Sequence, residues 1–178
     1  MKENHRDSGV KAIYTDGSKT DEGTGSAYCI LENYGIITLW QGKLDYSKFV
    51  FPAEILPIKM AIEAASSFHR PIKIWTDSLS SLMTILNPKS HHCMVREIQT
   101  LLLSHKHIHL RWLKVHVDYL GNECADQLAK EAKGDPFFLR KPLSYLKSEI
   151  KPAALSIWQD NWDNGETGRS THDIVPSV

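Results

Sequence analysis

Residues 10–19 read Val10-Lys-Ala-Ile-Tyr-Thr-Asp-Gly-Ser-Lys19 and combine a strand-like pattern with an acid that a glycine follows. Its side chains alternate with a period of two as far as Thr15, which is typical of a β-strand. Asp16 and Gly17 follow directly, and we expect the glycine to allow a sharp turn that leaves the Asp16 carboxylate at the strand end. An acid in such a place is usually only part of a turn, so its meaning depends on whether other acids join it.

The composition is that of an ordinary folded domain. The 178 residues are 42% hydrophobic and 24% charged, and 21 basic residues balance 21 acidic ones. This length predicts one domain, or one domain with an appendage. A net charge of zero argues against strong free-standing affinity for nucleic acid, although a basic groove balanced by an acidic site remains compatible with it.

The cysteines and the N-terminal segment indicate a cellular compartment. Cys29, Cys93 and Cys124 lie far apart in the sequence, which fits reduced thiols inside a cell better than a disulfide framework. The first residues contain no apolar segment of a secretory signal, and no apolar run approaches the roughly 20 residues of a membrane span. We therefore expect an intracellular protein that is not secreted.

The hydrophobic pattern along the rest of the chain predicts an α/β fold. Further strands are predicted at 24–31, 36–41, 72–77 and 108–113, and helices at 53–68, about 79–86, about 92–104 and about 122–133. The order β-β-β-α-β-α-α-β-α predicts a five-stranded mixed sheet, with three antiparallel strands and then two parallel ones, flanked by helices. Pro57 lies beyond the first turn of its helix, so we expect a bend or a later start there.

The chain is predicted to change character near residue 134. Residues 8–134 form the α/β domain, and residues 135–178 form a C-terminal extension or linker with one helix and an irregular tail. Pro136, Pro142 and Pro152 interrupt this second part, and its end is polar.

Four acids have defined places in this fold: Asp16 and Asp77 each end a strand, Glu54 lies near the start of the first helix, and Asp126 lies in the last predicted helix. If the two strands are neighbours, Asp16 and Asp77 meet at one edge of the sheet. Such a cluster cannot ionise fully without cations. Ligand sets made only of oxygen favour Mg²⁺ or Mn²⁺, and two such ions form the clamp used for in-line displacement at phosphorus.

Four segments resemble the signature blocks of the type I ribonuclease H family, in the family's order and with its spacing. They are Tyr14-Thr-Asp-Gly-Ser18, Ala53-Glu54-Ile55, Trp75-Thr-Asp-Ser78 and His116-Val-Asp-Tyr-Leu-Gly-Asn-Glu-Cys-Ala-Asp-Gln-Leu-Ala-Lys130. The resemblance covers residues 8–134. The tail from Trp158 to Arg169, with Ile174-Val-Pro beyond it, resembles the segment C-terminal to this domain in insect non-LTR (LINE-type) retrotransposon polyproteins.

The resemblance implies an endoribonuclease that hydrolyses the RNA strand of RNA/DNA hybrids and leaves 3′-hydroxyl and 5′-phosphate ends. It implies two Mg²⁺ ions, replaceable by Mn²⁺, on the four acids. The ion near Asp16, Asp77 and Asp126 would activate water, and the ion near Asp16 and Glu54 would stabilise the leaving oxygen. It also implies a reverse transcriptase domain in cis within a longer polyprotein, and residence in the nucleus or cytoplasm.

A histidine and its neighbour complete the expected catalytic set. His116 matches the family's mobile-loop histidine, which would help to protonate the leaving group or release the product, because imidazole changes its charge near neutral pH. Asp118 stands where the family usually has glycine, so we expect it to alter the loop or the charge of the imidazole.

Selectivity for RNA requires groups that read the 2′-hydroxyl. The resemblance makes the main-chain groups of Gly17 and Ser18, together with Glu54 and Ser78, the candidates for this contact. Asn122 lies four residues before Asp126 on the same helix face, where it would contact the substrate backbone. Asn122 could instead cap the last helix.

Other functions stay open at this stage. A non-catalytic nucleic-acid-binding or scaffolding module could keep the same fold, but the presence of all four acids favours the enzyme. A 3′–5′ exonuclease of the same superfamily would carry an Asp-X-Glu pair on the first strand, which Asp16-Gly17-Ser18 lacks. The histidines at 91, 92, 105, 107 and 109, with Cys93, do not have the spacing of zinc ligands.

Overall fold

The computed structural model of the chain describes residues 11–21, 23–33, 35–44, 50–114, 120–133 and 143–164. The strands are β1 (Ala12–Thr20), β2 (Gly23–Glu32), β3 (Gly35–Leu44), β4 (Ile72–Thr76) and β5 (Ile108–Trp112). They form one sheet in the order β3-β2-β1-β4-β5. β1, β2 and β3 pair antiparallel, and β4 pairs parallel with both β1 and β5. The predicted five-stranded mixed sheet is therefore confirmed.

The described helices are α1 (Val50–Ala65), α2 (Leu79–Leu86), α3 (Cys93–Ser104), α4 (Leu120–Lys130) and α5 (Leu143–Asn164). The chain divides into two compact units, Met1–Phe138 and Leu139–Val178. The sheet and the first four helices belong to the first unit, and α5 belongs to the second. Within the described ranges, no helix is both long enough and apolar enough to cross a membrane.

Helices α1 and α4 cover opposite faces of the sheet. Ser26 of β2 donates a hydrogen bond from its Oγ to the carbonyl oxygen of Ala53 in α1, at 2.7 Å. The preceding residue, Gly25, lies against Ala129 of α4, so closely that an added Cβ would meet the Ala129 carbonyl oxygen at 2.0 Å. Successive strand residues point to opposite faces. β2 is accordingly buried from Thr24 to Ile30, as expected for a strand that is covered on both sides.

The turn expected at Gly17 is wrong. β1 continues to Thr20, because each residue from Ala12 to Thr20 has a partner in β2, and the chain reverses only between Thr20 and Gly23. Gly17 serves the packing of α1 instead. A Cβ at this position would lie 2.5 Å from the carbonyl carbon and oxygen of Ala53, so only glycine lets the strand and the helix backbone approach this closely.

The later helix start expected at Pro57 is also wrong. α1 begins at Val50, and Pro57 lies inside it, fully buried. The neighbouring positions Ile55, Ile58 and Ile62 are fully buried as well. Burial of this apolar stripe stabilises the helix by several kcal/mol, at about 1.5–3 kcal/mol per large side chain, which offsets the roughly 3 kcal/mol that an interior proline costs.

Candidate active site

The parallel pairing of β1 and β4 brings Asp16 and Asp77 to the same edge of the sheet. The register pairs Thr15 with Thr76, and the two acids are the next residues along the chain from this pair. β1 runs on beyond Asp16, but its partnership with β4 ends at Thr15. Asp16 thus lies inside an antiparallel strand and at the end of a parallel ladder at the same time.

Glu54 reaches this edge from the first turns of α1. The main-chain N–H of Gly17, directly after Asp16, faces the Glu54 carboxylate and acts to lower its pKa. The Ser26 hydroxyl holds the neighbouring Ala53 carbonyl. With these contacts, one carboxylate oxygen from each of Asp16, Glu54 and Asp77 lies within 4.8 Å of the others. Three predicted ligands from three separate elements therefore form one group.

Burial makes this group electrostatically strained. Asp16 is only 6% exposed. Loss of solvation, followed by the charges of Asp77, Glu54 and Asp126, raises the pKa of Asp16 to about 9. Burial and the charge of Asp77 raise the pKa of Glu54 to about 7, although the Gly17 N–H acts in the opposite direction. Without a cation, the group must hold protons near neutral pH.

The donor set fits a hard divalent cation. The Oε2 atom of Glu54 is buried and has no hydrogen-bond partner among the described residues. A buried acceptor without a donor is destabilising, and a cation between carboxylates would satisfy it. All three ligand atoms are carboxylate oxygens, the type that Mg²⁺ and Mn²⁺ prefer.

Asp126 approaches the group from α4 but has a second partner. Its carboxyl group lies close enough to that of Asp16 to raise the pKa of Asp16. Its Oδ2 also pairs with Nζ of Lys130, one helical turn further along, at 2.5 Å. Lys130 is absent from the residues predicted from sequence, although its spacing of four from Asp126 is a signal for such a pair.

The expected substrate contacts have local roles in the structure. Ser78 is the N-cap of α2, where its hydroxyl accepts a hydrogen bond from the N–H of Ser81. The N–H of Gly17 faces the Glu54 carboxylate, and Ser18 pairs with Gly25 in the β1–β2 ladder. The capping role considered for Asn122 is wrong, because α4 begins two residues earlier, at Leu120.

Of the other predicted site residues, the structure describes Asn122 but not His116. The Oδ1 atom of Asn122 is buried and lacks a hydrogen-bond partner within the described part of the chain. His116 and Asp118 fall in 115–119, outside the described residues. Among the residues that are described, the three acids are the only set of three or more His, Cys, Asp or Glu side chains with ligand atoms close enough to share an ion. The histidines and Cys93 form no such set there.

Solved structures of similar fold come from viruses and bacteria. The foamy viral protease-reverse transcriptase in complex with RNA/DNA hybrid superposes with a TM-score of 0.56 at 19% identity, over 70% of this chain and 20% of that one. The foamy viral protease-reverse transcriptase in complex with double-stranded DNA superposes with a TM-score of 0.55 at 19% identity, over 70% of this chain and 92% of that one. The N-terminal RNase H domain of a Mycobacterium tuberculosis protein, fused to maltose-binding protein, superposes with a TM-score of 0.56 at 16% identity, over 70% of this chain and 94% of that one. These likenesses show a shared fold.

The chain spans about a fifth of the length of the first of these structures. None of the curated protein sequences matches it. The RNase H family profile does match, over residues 8–133, which is well over half of the chain. The chain belongs to the RNase H family.

Proposed function

We propose that this protein is an endoribonuclease that hydrolyses the RNA strand of RNA/DNA hybrids with the help of divalent metal ions. The observation that carries the proposal is the group formed by Asp16, Glu54 and Asp77, whose ligand oxygens lie within 4.8 Å of one another around the buried Asp16. A buried cluster of like charges is destabilising unless a cation joins it. Membership of the RNase H family supports the same chemistry.

Four acids would hold the metal ions. We propose Mg²⁺, with Mn²⁺ as a substitute, bound by Asp16, Glu54, Asp77 and Asp126. Two ions held there would supply an activated water and stabilise the negative charge that develops on the leaving 3′-oxygen. The charges of Asp77, Glu54 and Asp126 all act on Asp16, so Asp16 would be the central ligand of this set. Asp126 would join the site by exchanging its Lys130 partner for the metal.

Other residues predicted from the sequence would bind the substrate and move protons. We propose that His116 protonates the leaving oxygen, which gives 3′-hydroxyl and 5′-phosphate products. Asn122, with its unpartnered buried Oδ1, is the best-supported contact to the RNA strand. The main-chain groups of Gly17 and Ser18 and the hydroxyl of Ser78 are proposed to contact the 2′-hydroxyl, the group that distinguishes RNA from DNA.

A role in retrotransposon reverse transcription is proposed for the wider context. A similar structure is a protease-reverse transcriptase, of which this chain matches a fifth. The tail after Trp158 resembles retrotransposon sequences. With a net charge of zero, the chain lacks the basic excess that normally gives affinity for nucleic acid. A reverse transcriptase domain in cis would supply that affinity.

The proposal is tested by cleavage of a hybrid whose RNA strand is labelled at its 5′ end. Single-stranded RNA, RNA duplex and DNA duplex serve as competing substrates, with Mg²⁺ or Mn²⁺ and with an Asp77→Asn variant as control. We expect cutting of the RNA strand in the hybrid alone, products with 3′-hydroxyl ends, and no cutting by Asp77→Asn. Folded protein that binds the hybrid but never cuts it, with either metal, would support the non-catalytic binding module instead.

A further inference from the structure

The main chain at Asp77 is held by an unusual donor. Its carbonyl oxygen accepts a hydrogen bond from the N–H of Leu79, at 3.0 Å. The same oxygen accepts a second hydrogen bond from the indole Nε1–H of Trp112, at 3.2 Å. Trp112 is 35 residues away in sequence, and no spacing or motif predicts this contact.

The position of Trp112 in β5 explains why a side chain, and not the main chain, donates this hydrogen bond to Asp77. β4 and β5 pair residue by residue until Thr76 meets Trp112. The N–H of Leu113 then bonds to the carbonyl oxygen of Thr76, at 3.0 Å, which is the last main-chain contact of β4 with this neighbour among the described residues. Asp77 is one residue beyond it. The indole thus extends the hydrogen bonding of β5 by one carbonyl, to the residue that carries the carboxylate.

Packing of the ring alone does not account for a tryptophan here. Trp112 is 46% exposed at the site edge of the sheet. A phenylalanine or leucine could cover the same apolar surface, but neither has a donor. Tryptophan offers one fixed N–H on a rigid ring with two rotatable bonds, so it can hold a partner at small entropic cost.

We propose that Trp112 is a positioning residue of the active site. Its N–H fixes the main chain at Asp77, and so sets the distance of the Asp77 carboxylate from Asp16 and Glu54. This inference rests on the proposed function, in which Asp77 binds metal. Displacement of a catalytic group by about 1 Å can lower the rate by about a hundredfold. The Leu79 contact remains when the indole N–H is lost, so we expect a smaller effect, about tenfold.

The experiment removes the N–H and keeps the ring. Trp112 is replaced by 3-benzothienylalanine, in which sulfur stands where the indole has its N–H, and in parallel by Trp112→Phe. The same analogue at Trp158, an exposed tryptophan of α5, is the matched control. We expect the Trp112 analogue to lower kcat about tenfold, to leave KM for the hybrid unchanged, and to weaken Mn²⁺ binding several-fold in a calorimetric titration without substrate. The control should change none of these quantities.

The outcomes separate this inference from the proposed function. If the Trp112 analogue binds Mn²⁺ and cleaves the hybrid as the unmodified protein does, the positioning role is overturned and the proposed function stands. A lower melting temperature with unchanged Mn²⁺ affinity and kcat would make Trp112 a purely structural residue, which also overturns it. Unmodified protein that neither binds Mn²⁺ nor cleaves would remove the proposed function, and this inference with it.

Discussion

The candidate site has a buried half and an exposed half, and the same type of side chain behaves differently in each. Asp16 belongs to β1 and Glu54 to α1. Burial, together with neighbouring acids, raises the pKa of Asp16 to about 9 and that of Glu54 to about 7. Asp126 lies on α4 with 37% of its side chain exposed, and it pairs with Lys130. Carboxylates that are shielded from water and surrounded by other acids need protons or metal ions, whereas an exposed carboxylate can use a lysine.

The two halves should therefore respond to different changes. The buried half depends on pH and on divalent cations, because burial and neighbouring acids together raise the pKa of Asp16. In the exposed half, Asp126 already has a counterion in Lys130, which a metal ion would have to displace. Variants in each half test this division.

The largest effect is expected from Asp16→Asn. The amide keeps the shape of the side chain but cannot carry the charge that both metal ions need. Loss of metal-held chemistry removes several kcal/mol of transition-state stabilisation, so we expect kcat for hybrid cleavage to fall at least about a thousandfold. Single-turnover cleavage in Mg²⁺ measures this. Activity within about tenfold of the original would show that Asp16 is not the central ligand.

The same Asp16→Asn variant should lose activity but gain stability, and it should gain stability only at higher pH. Because the pKa of Asp16 is raised in the folded state, the folded protein holds a proton that the unfolded chain loses above about pH 4. The contribution of Asp16 to the free energy of unfolding of metal-free protein should thus be fullest below about pH 4 and fall as the pH rises towards about 9. We expect Asp16→Asn to remove most of this slope and to be more stable by on the order of 3 kcal/mol at pH 8.

Urea unfolding in EDTA at pH 4, 6 and 8 tests this prediction. The difference between the two proteins isolates Asp16 from all other titrating groups. Equal slopes with pH for both proteins would contradict the electrostatic description of the buried half.

A smaller effect is expected where β1 meets α1. In Gly17→Ala the new Cβ would lie 2.5 Å from main-chain atoms of Ala53, which cannot move without shifting the helix. We expect a loss of about 1–3 kcal/mol in the free energy of unfolding, together with weaker Mn²⁺ binding, because Glu54 moves with the helix. Gly35→Ala is the matched control, since its nearest neighbour lies at 3.6 Å. Similar losses in both variants would remove the packing argument.

The smallest effect is expected from Lys130→Gln. An exposed pair of this spacing contributes less than about 1 kcal/mol, so the melting temperature should hardly change. Asp126 loses its competing partner, so the half-saturating Mg²⁺ concentration for cleavage should fall about two- to threefold. Lys133→Gln, with the same charge change three residues away, should leave it unaltered. A higher Mg²⁺ requirement in Lys130→Gln would mean that Lys130 assists metal binding.

Much of the fold is readable from sequence, since period-two and period-3.6 patterns report which faces are buried. The strand order is not, because the sequence leaves open whether the strands that precede Asp16 and Asp77 are neighbours, and only the pairing of Thr15 with Thr76 decides it. The errors have local causes. Glycine at 17 permits either a turn or a close helix contact, and only the pairing with β2 decides between them. Likewise, the burial of the apolar stripe of α1 stabilises the helix by more than the interior Pro57 destabilises it.

The site was predictable to a lesser degree. The family's motifs contain the acids but say nothing about their protonation, which depends on burial in three dimensions. Of the two partners that sequence reasoning missed, Lys130 has a signal in its spacing from Asp126. Trp112 has no such signal, because it reaches Asp77 only where the parallel pairing of β4 with β5 ends.

The most direct test of whether Asp16, Glu54 and Asp77 form a metal site is the release of protons on metal binding. Mn²⁺ is titrated into the protein at pH 7 in two buffers that differ in ionisation enthalpy. Because bound metal requires ionised carboxylates, and the pKa of Asp16 is raised to about 9, we predict release of about one proton or more per chain. The Asp16→Asn variant should bind weakly and release fewer. Tight binding without proton release, unchanged in Asp16→Asn, would contradict the assignment of this group as a metal site.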